Sequence, residues 1–177
     1  AKFTSKTPSD QRQSLNNLQN PTSARADEDS FKIGYIVPLS GDSASYGIPS
    51  KQSAAIVEKE LNKNGGINGK TVKFIYEDGK CQAEDAKLAA EKLVKVDKVS
   101  VVYGGSCSDE FLAAAPVAQE NKVITVTTSA TSPKISQLGK YIFRLTPSDS
   151  LAGRAAAQYA TTKMSAKTAT VIAENTS

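Results

Sequence analysis

From residue 31 onward the chain alternates two hydrophobic rhythms. Short β-branched runs at residues 32–39 (KIGYIVPL), 71–76 (TVKFIY), 99–103, 123–127 and 141–145 read as buried strands. Between them, apolar residues recur at helical spacing. Residues 84–96 are the clearest case, with Ala86, Ala89, Ala90, Leu93 and Val94 on one face and charges on the other. A helix over residues 48–64 gathers Ala54, Val57 and Leu61 and stops at Gly65-Gly66. Another is expected to start with Ser108 as its N-cap and Asp109 and Glu110 in its first turn. Pro116 should kink or interrupt it. Beyond Pro147, a helix over residues 149–164 leads to a sixth strand at 168–173. Strand and helix alternating through short connections predict an α/β fold, a doubly wound parallel sheet covered on both faces.

The first thirty residues break the pattern. They are rich in Ser, Thr, Asn, Gln and Pro, and four basic residues cancel four acids. Such a segment buries too little apolar surface to offset its ordering entropy, so residues 1–30 read as a flexible polar leader, a tether or a simple terminus. Residues 31–147 make one ligand-binding lobe, and residues 148–177 cross a hinge and begin a second lobe that then lacks partners. This reading makes the chain a fragment, or one completed by another copy through self-association.

Composition narrows the chemistry. Apolar content of 39% and charged content of 23% are those of a soluble globular protein. The net charge of +4 is dispersed: between Asp78 and Lys98 five acids alternate with five lysines. Nucleic-acid binding needs clustered Lys or Arg with stacking aromatics, and that pattern is missing. Histidine is absent, so neither a Ser-His nor a Cys-His dyad can form, nor a His-bearing metal site. Cys107, in GGSCSD, could be a nucleophile at a strand–turn–helix elbow or half of a disulfide with Cys81; with no histidine to activate the thiol, the disulfide is favoured.

Ligands of open parallel sheets bind beyond the carboxyl ends of the strands, here residues 40–47, 77–81, 104–108 and 127–132. Ser108 offers a hydroxyl and a helix N-terminus suited to a carboxylate. Ser129, Ala130 and Thr131 offer a carbonyl, a hydroxyl and an N–H that together suit an ammonium and a carboxylate. Tyr46 could cover an apolar ligand side chain. Each also has a plain structural reading: a cap, a polar turn, a loop aromatic. Asp42, Asp78 and Asp109 fall near the same edge, where loop acids more often cap or face solvent than hold a metal. Neither a dinucleotide fingerprint nor a phosphate loop occurs, and no cofactor is expected.

Taken together, residues 31–177 resemble the type I periplasmic solute-binding proteins of branched-chain amino-acid (Leu/Ile/Val) ABC importers. The matching pieces, in order, are IVPLSGDSASYG, LNKNGGINGKTV, YEDGKCQAEDA, VVYGGSCSDE, AAAPVAQENKV, TVTTSATSP and YIFRLTPSDS. The resemblance implies a two-lobed, hinge-closing binding protein with its N-terminal lobe here, which is not an enzyme. It implies an extracytoplasmic setting, periplasmic or as a cell-surface lipoprotein, an amino-acid ligand and an ABC permease as partner. It further implies that Ser108, Ser129 and Thr131 hold the ligand's carboxylate and ammonium, that Tyr46 lies at the cleft mouth, and that Cys81 and Cys107 are bridged. Asp109 and Glu110 stand where several amino-acid binders carry hydroxyls, a departure that would also admit a polar, cationic or amide-like ligand. The competing readings are the ligand-sensing domain of a receptor with the same fold, and a hydrolase using Cys107.

Overall fold

A computed structural model describes residues 30–172. The leader expected at residues 1–30 therefore lies outside the described residues, save Ser30. The elements are β1 (Phe31–Val37), α1 (Ala44–Lys63), β2 (Val72–Asp78), α2 (Ala83–Glu91), which runs on as a π-turn (Lys92–Val96), and β3 (Val101–Gly104). They continue with α3 (Ser108–Glu120), β4 (Ile124–Thr127), a 3₁₀ turn (Pro133–Gln137), β5 (Ile142–Arg144) and α4 (Asp149–Thr162). The five strands form one all-parallel sheet in the order β2-β1-β3-β4-β5. The α/β expectation holds.

The strand order fixes where a ligand can sit. The chain leaves β1 for β2 on one side, then returns to place β3 on the other. Right-handed crossovers put α1 on one face of the sheet and α2 and α3 on the opposite face. The loops after β1 and β3 therefore part company and leave a crevice at their carboxyl ends.

The main core lies between the sheet and the α2–α3 pair. Ile36 and Val102 meet Ala86, Ala89, Ala90, Leu93, Ala114, Val117 and Ala118 there. Alanines on both helices allow a close approach, so the layer is thin and rigid. Leu93 is fully buried and lies against Gly34, where a Cβ would stand 2.9 Å from the Leu93 Cδ1. A smaller cluster of Phe111, Ala115, Ala130 and Ile135 closes the sheet end near β4.

Four local expectations are corrected. The first helix begins at Ala44 rather than near residue 48. Gly47 sits inside it because a Cβ there would overlap the Pro38 carbonyl: the helix start packs directly on the chain leaving β1. Helix α3 runs unbroken through Pro116, which is exposed, so the carbonyl deprived of its partner can be hydrated. The N-cap of α3 is Cys107, in extended conformation (φ −103°, ψ 150°), and Ser108 is the first helical residue. Residues 168–172 form no strand: the sheet ends at β5, and a β-branched run with no neighbour to pair with leaves its backbone to water. Residue 173 lies outside the described residues.

Candidate functional site

The residues at the strand ends build a cavity of about 720 Å³, within the range of small-molecule sites. It is lined from the β1–α1 loop by Gly41, Asp42 and Ser43, from the loop after β2 by Lys80, Cys81 and Gln82, and from the N-cap and first turn of α3 by Cys107, Ser108 and Asp109. Thr131, after β4, and Asp149, at the start of α4, complete it. A second cavity, of about 540 Å³, lies on the α1 face and is dominated by apolar and aromatic residues. The first is the candidate site, because it joins hydroxyls to a helix N-terminus at the topological switch point.

Each loop is shaped by a buried or half-buried polar side chain. Asp78, at the end of β2, holds the first loop: its Oδ1 accepts the Leu39 N–H at 2.8 Å and its Oδ2 the Ser40 hydroxyl at 2.5 Å. It also accepts the Lys80 N–H at 3.1 Å. Burial opposes ionisation of Asp78, but the hydrogen bonds from Ser40, Leu39 and Lys80 outweigh it and hold the carboxyl below its ordinary value.

The turn after β3 needs its two glycines. Gly104 and Gly105 have φ of +115° and +66°, and a Cβ on Gly104 would overlap the Ile36 carbonyl. Beyond them, Cys107 is joined to Cys81 by a disulfide, so no thiol nucleophile exists there and the hydrolase reading loses its residue. Glu110 turns back to accept the Cys107 N–H at 3.4 Å, the carboxylate half of a capping box.

Thr127 shapes the loop after β4. Fully buried, it donates to the Gly105 carbonyl at 3.1 Å and accepts the N–H groups of Ala130 at 3.1 Å and Ser129 at 3.4 Å. Ser108 Oγ accepts the Ser132 N–H at 3.2 Å and so joins the β3 and β4 loops. Arg144 donates to the Ser132 carbonyl at 2.8 Å, and the Asp149 N–H to the Thr131 carbonyl at 3.0 Å.

The structure thus brings Ser108, Thr131, Cys81 and Cys107 onto one cavity. Ser129, which is exposed, and Ala130, which is 1% exposed with its methyl group in the Phe111 cluster, precede Thr131 in the chain but do not line the cavity. Tyr46 is 74% exposed in the first turn of α1 and does not line the cavity. Of the three acids considered for a metal, Asp78 is engaged in loop hydrogen bonds, while Asp42 lines the cavity from the β1–α1 loop and Asp109 from the first turn of α3. Among the described residues, the grouping with metal-ligand proximity is Cys81, Cys107 and Glu110, whose sulfurs are committed to the disulfide. No helix among the described residues is long and apolar enough to cross a membrane.

The sequence placed Asp78 and Thr127 at the ligand edge without showing that they shape its loops, and it gave no sign of Arg144; Glu110, read as a first-turn acid and as a departure on the ligand side, is instead buried beneath the loops. Cys107-x-x-Glu110 has capping-box spacing, which was the available signal for Glu110.

Comparison with known proteins gives the family and the fold. A leucine-, isoleucine-, valine-, threonine- and alanine-binding protein of Pseudomonas aeruginosa is 32% identical over 145 residues, which are 81% of this chain and 39% of that protein. The crystal structure of a branched-chain amino acid transporter substrate binding protein from Streptococcus pneumoniae, in complex with isoleucine, superposes with a TM-score of 0.70. It is 31% identical, over 77% of this chain and 39% of that one. A solute binding protein of an ABC transporter from Rhodopseudomonas palustris, in complex with 3,4-dihydroxybenzoic acid, gives a TM-score of 0.59 at 32% identity, over 68% of this chain and 32% of that one. The chain spans about two fifths or less of the length of each. The family model described as periplasmic binding protein matches residues 30–177, and the chain belongs to that family of solute-binding proteins.

Proposed function

We propose that this chain supplies one wall of a cleft that captures a branched-chain or related amino acid outside the cytoplasm and delivers it to an ABC permease. The observation that carries the reading is the shared cavity of Ser108 and Thr131 at the switch point of the sheet. The start of α3 offers a hydroxyl and the positive end of a 13-residue helix to the ligand's carboxylate. Thr131 adds a second hydroxyl from the neighbouring strand end, and Asp42, Asp109 and Asp149 give the cavity acidic groups toward which an ammonium can turn. In this reading Ser129 contributes through its backbone, and Tyr46, which does not line this cavity, would cover the ligand from the cleft mouth.

Two relatives support the ligand class: the Pseudomonas protein named for aliphatic amino acids and the Streptococcus protein holding isoleucine. Chemistry here is capture and release, without a catalytic residue. The disulfide favours an oxidising compartment, and with it a periplasmic or surface-anchored setting. Calorimetric titration of the complete protein with L-leucine, L-isoleucine and L-valine is expected to give saturable one-site binding. Heat from none of the three, with binding of 3,4-dihydroxybenzoate instead, would replace the amino acid by an aromatic acid.

A further inference from the structure

Glu110 is the one fully buried acid among the described residues. Its Oε2 accepts the Ser106 N–H at 2.6 Å and the Cys107 N–H at 3.4 Å, while its Oε1 accepts the Cys81 N–H at 3.3 Å. The first two donors belong to the loop after β3 and the third to the loop after β2, 29 residues away in sequence. Both loops line the candidate cavity. A cap needed only for α3 would stop at its own helix; this carboxylate reaches across to a second loop.

The neighbouring residue is shaped to admit it. A Cβ on Gly79 would overlap Glu110 Oε1 and stand 2.8 Å from Ile36 Cγ2. Gly79 is absent from the residues with positive φ, so its lack of a side chain answers to space and not to backbone conformation. Glu110 and Gly79 therefore fit as a pair. Ser108 lies between two consequences of this arrangement, since Cys107 before it is tied by its N–H and Glu110 after it carries the carboxylate.

We propose that Glu110 is a positioning residue for ligand capture: its buried carboxylate locks the β2 and β3 loops together and fixes Ser108 in the cavity wall. The disulfide joins the same loops covalently but leaves the backbone amides free to rotate; the carboxylate orients them. A side chain that offers fewer acceptors, or one displaced by a methyl group on Gly79, should let the loops relax while α2, α3 and the core remain packed. The role rests on the ligand reading above, but its signature can be measured without ligand.

The test uses the complete protein as wild type, Glu110→Gln, Gly79→Ala and the double variant. Amide NMR reads Ser106, Cys107, Cys81 and Ser108, and calorimetry reads L-leucine. In wild type the Ser106 amide is expected far downfield, as a short charge-assisted bond requires. Glu110→Gln turns an NH₂ group toward backbone donors, so that resonance moves upfield, Ser108 shifts with it, and leucine binds about tenfold or more weakly. Gly79→Ala gives the same pattern, and the double variant is no worse than the more damaging single one, because both act through one carboxylate. Gly79→Ala also keeps the proposal testable if Glu110→Gln does not fold. Unchanged leucine affinity, an unmoved Ser108 amide in a folded variant, or additive effects would overturn it. If wild-type protein ignores leucine, the branched-chain reading fails by itself, and the Ser108 and Cys81 amides still decide the role of Glu110.

Discussion

Ser108 and Thr131 reach one cavity from the ends of β3 and β4, and their hydroxyls are the simplest groups to remove. Ser108→Ala and Thr131→Ala should each weaken leucine binding by about 1–3 kcal/mol, since each leaves a desolvated ligand charge short of a hydrogen bond. Ser108→Ala should also cost some stability, because Ser132 loses the acceptor for its N–H. Calorimetry alongside thermal unfolding separates the two effects, and full affinity in both variants would move the site elsewhere. The two carboxyls beneath the loops give a pH signature of opposite signs. Asp78 has its pKa depressed, so its stabilising contribution is present above the ordinary aspartate value of about 3.9 and is lost as pH falls through its folded pKa. Glu110 has its pKa raised, by burial first and then by the charge of Asp78, against three backbone hydrogen bonds. Its folded form holds the proton longer, so this group favours folding in acid and the contribution declines as pH rises through its folded pKa. Urea unfolding across pH should lose the acid-side decline in Asp78→Asn and the higher-pH decline in Glu110→Gln. At this scale the sequence disclosed Ser108 and Thr131, because strand ends rich in hydroxyls are a local pattern. It put Asp78 and Thr127 at the same edge but did not disclose their hydrogen bonds, because the partners lie 39 and 22 residues away and come within reach only once the sheet is assembled.

At the scale of elements, the disulfide between Cys81 and Cys107 fastens the exit of β2 to the start of α3 across 26 residues of chain. Removing it by Cys81→Ser with Cys107→Ser should lower unfolding stability by about 3 kcal/mol through the denatured ensemble. Cys81 is also held at φ +56°, a conformation that a free serine would leave readily. The check is urea unfolding of oxidised, reduced and doubly substituted protein; equal midpoints for all three would show that packing alone holds the loops. The five strands and the apolar face of α2 were legible because each is a local periodicity that the core then uses. What was illegible is contextual. Gly47 reads as a loop residue, yet the close approach to Pro38 requires the glycine, and α1 starts before it. The π-turn after α2 keeps Leu93 and Val94, adjacent in sequence, both buried, a need that no regular 3.6 period announces.

For the whole molecule, the two faces of the sheet are unequally covered. On the α1 side, Tyr76, Tyr35 and Tyr103 stand in register on β2, β1 and β3, with Tyr35 4.7 Å from Tyr103 and 5.8 Å from Tyr76 between ring centroids. Burial, aided by repulsion from Tyr103, pushes the Tyr35 hydroxyl up to about 12. Past these rings the face is open: Ile33, Phe74, Val101, Val126 and Leu145 line the apolar cavity, and Leu145 is 73% exposed. Helix α4 buries none of its residues, leaving Leu151 and Tyr159 in solvent. Exposed apolar surface of this extent is characteristic of an interaction face. The 177-residue chain by itself should therefore bind an apolar-surface dye such as ANS and associate with its own copies as concentration rises, matching the self-association expected from its uncovered elements. Leu145→Asp, at the mouth of the groove, should reduce both signals while leaving the Ser106 and Ser108 amides in place, because the ligand cavity lies at the strand ends and the groove on the sheet face. Sedimentation of both chains over a concentration series decides it: a dye-silent monomer throughout would mean that α1 and α4 close over this face in solution.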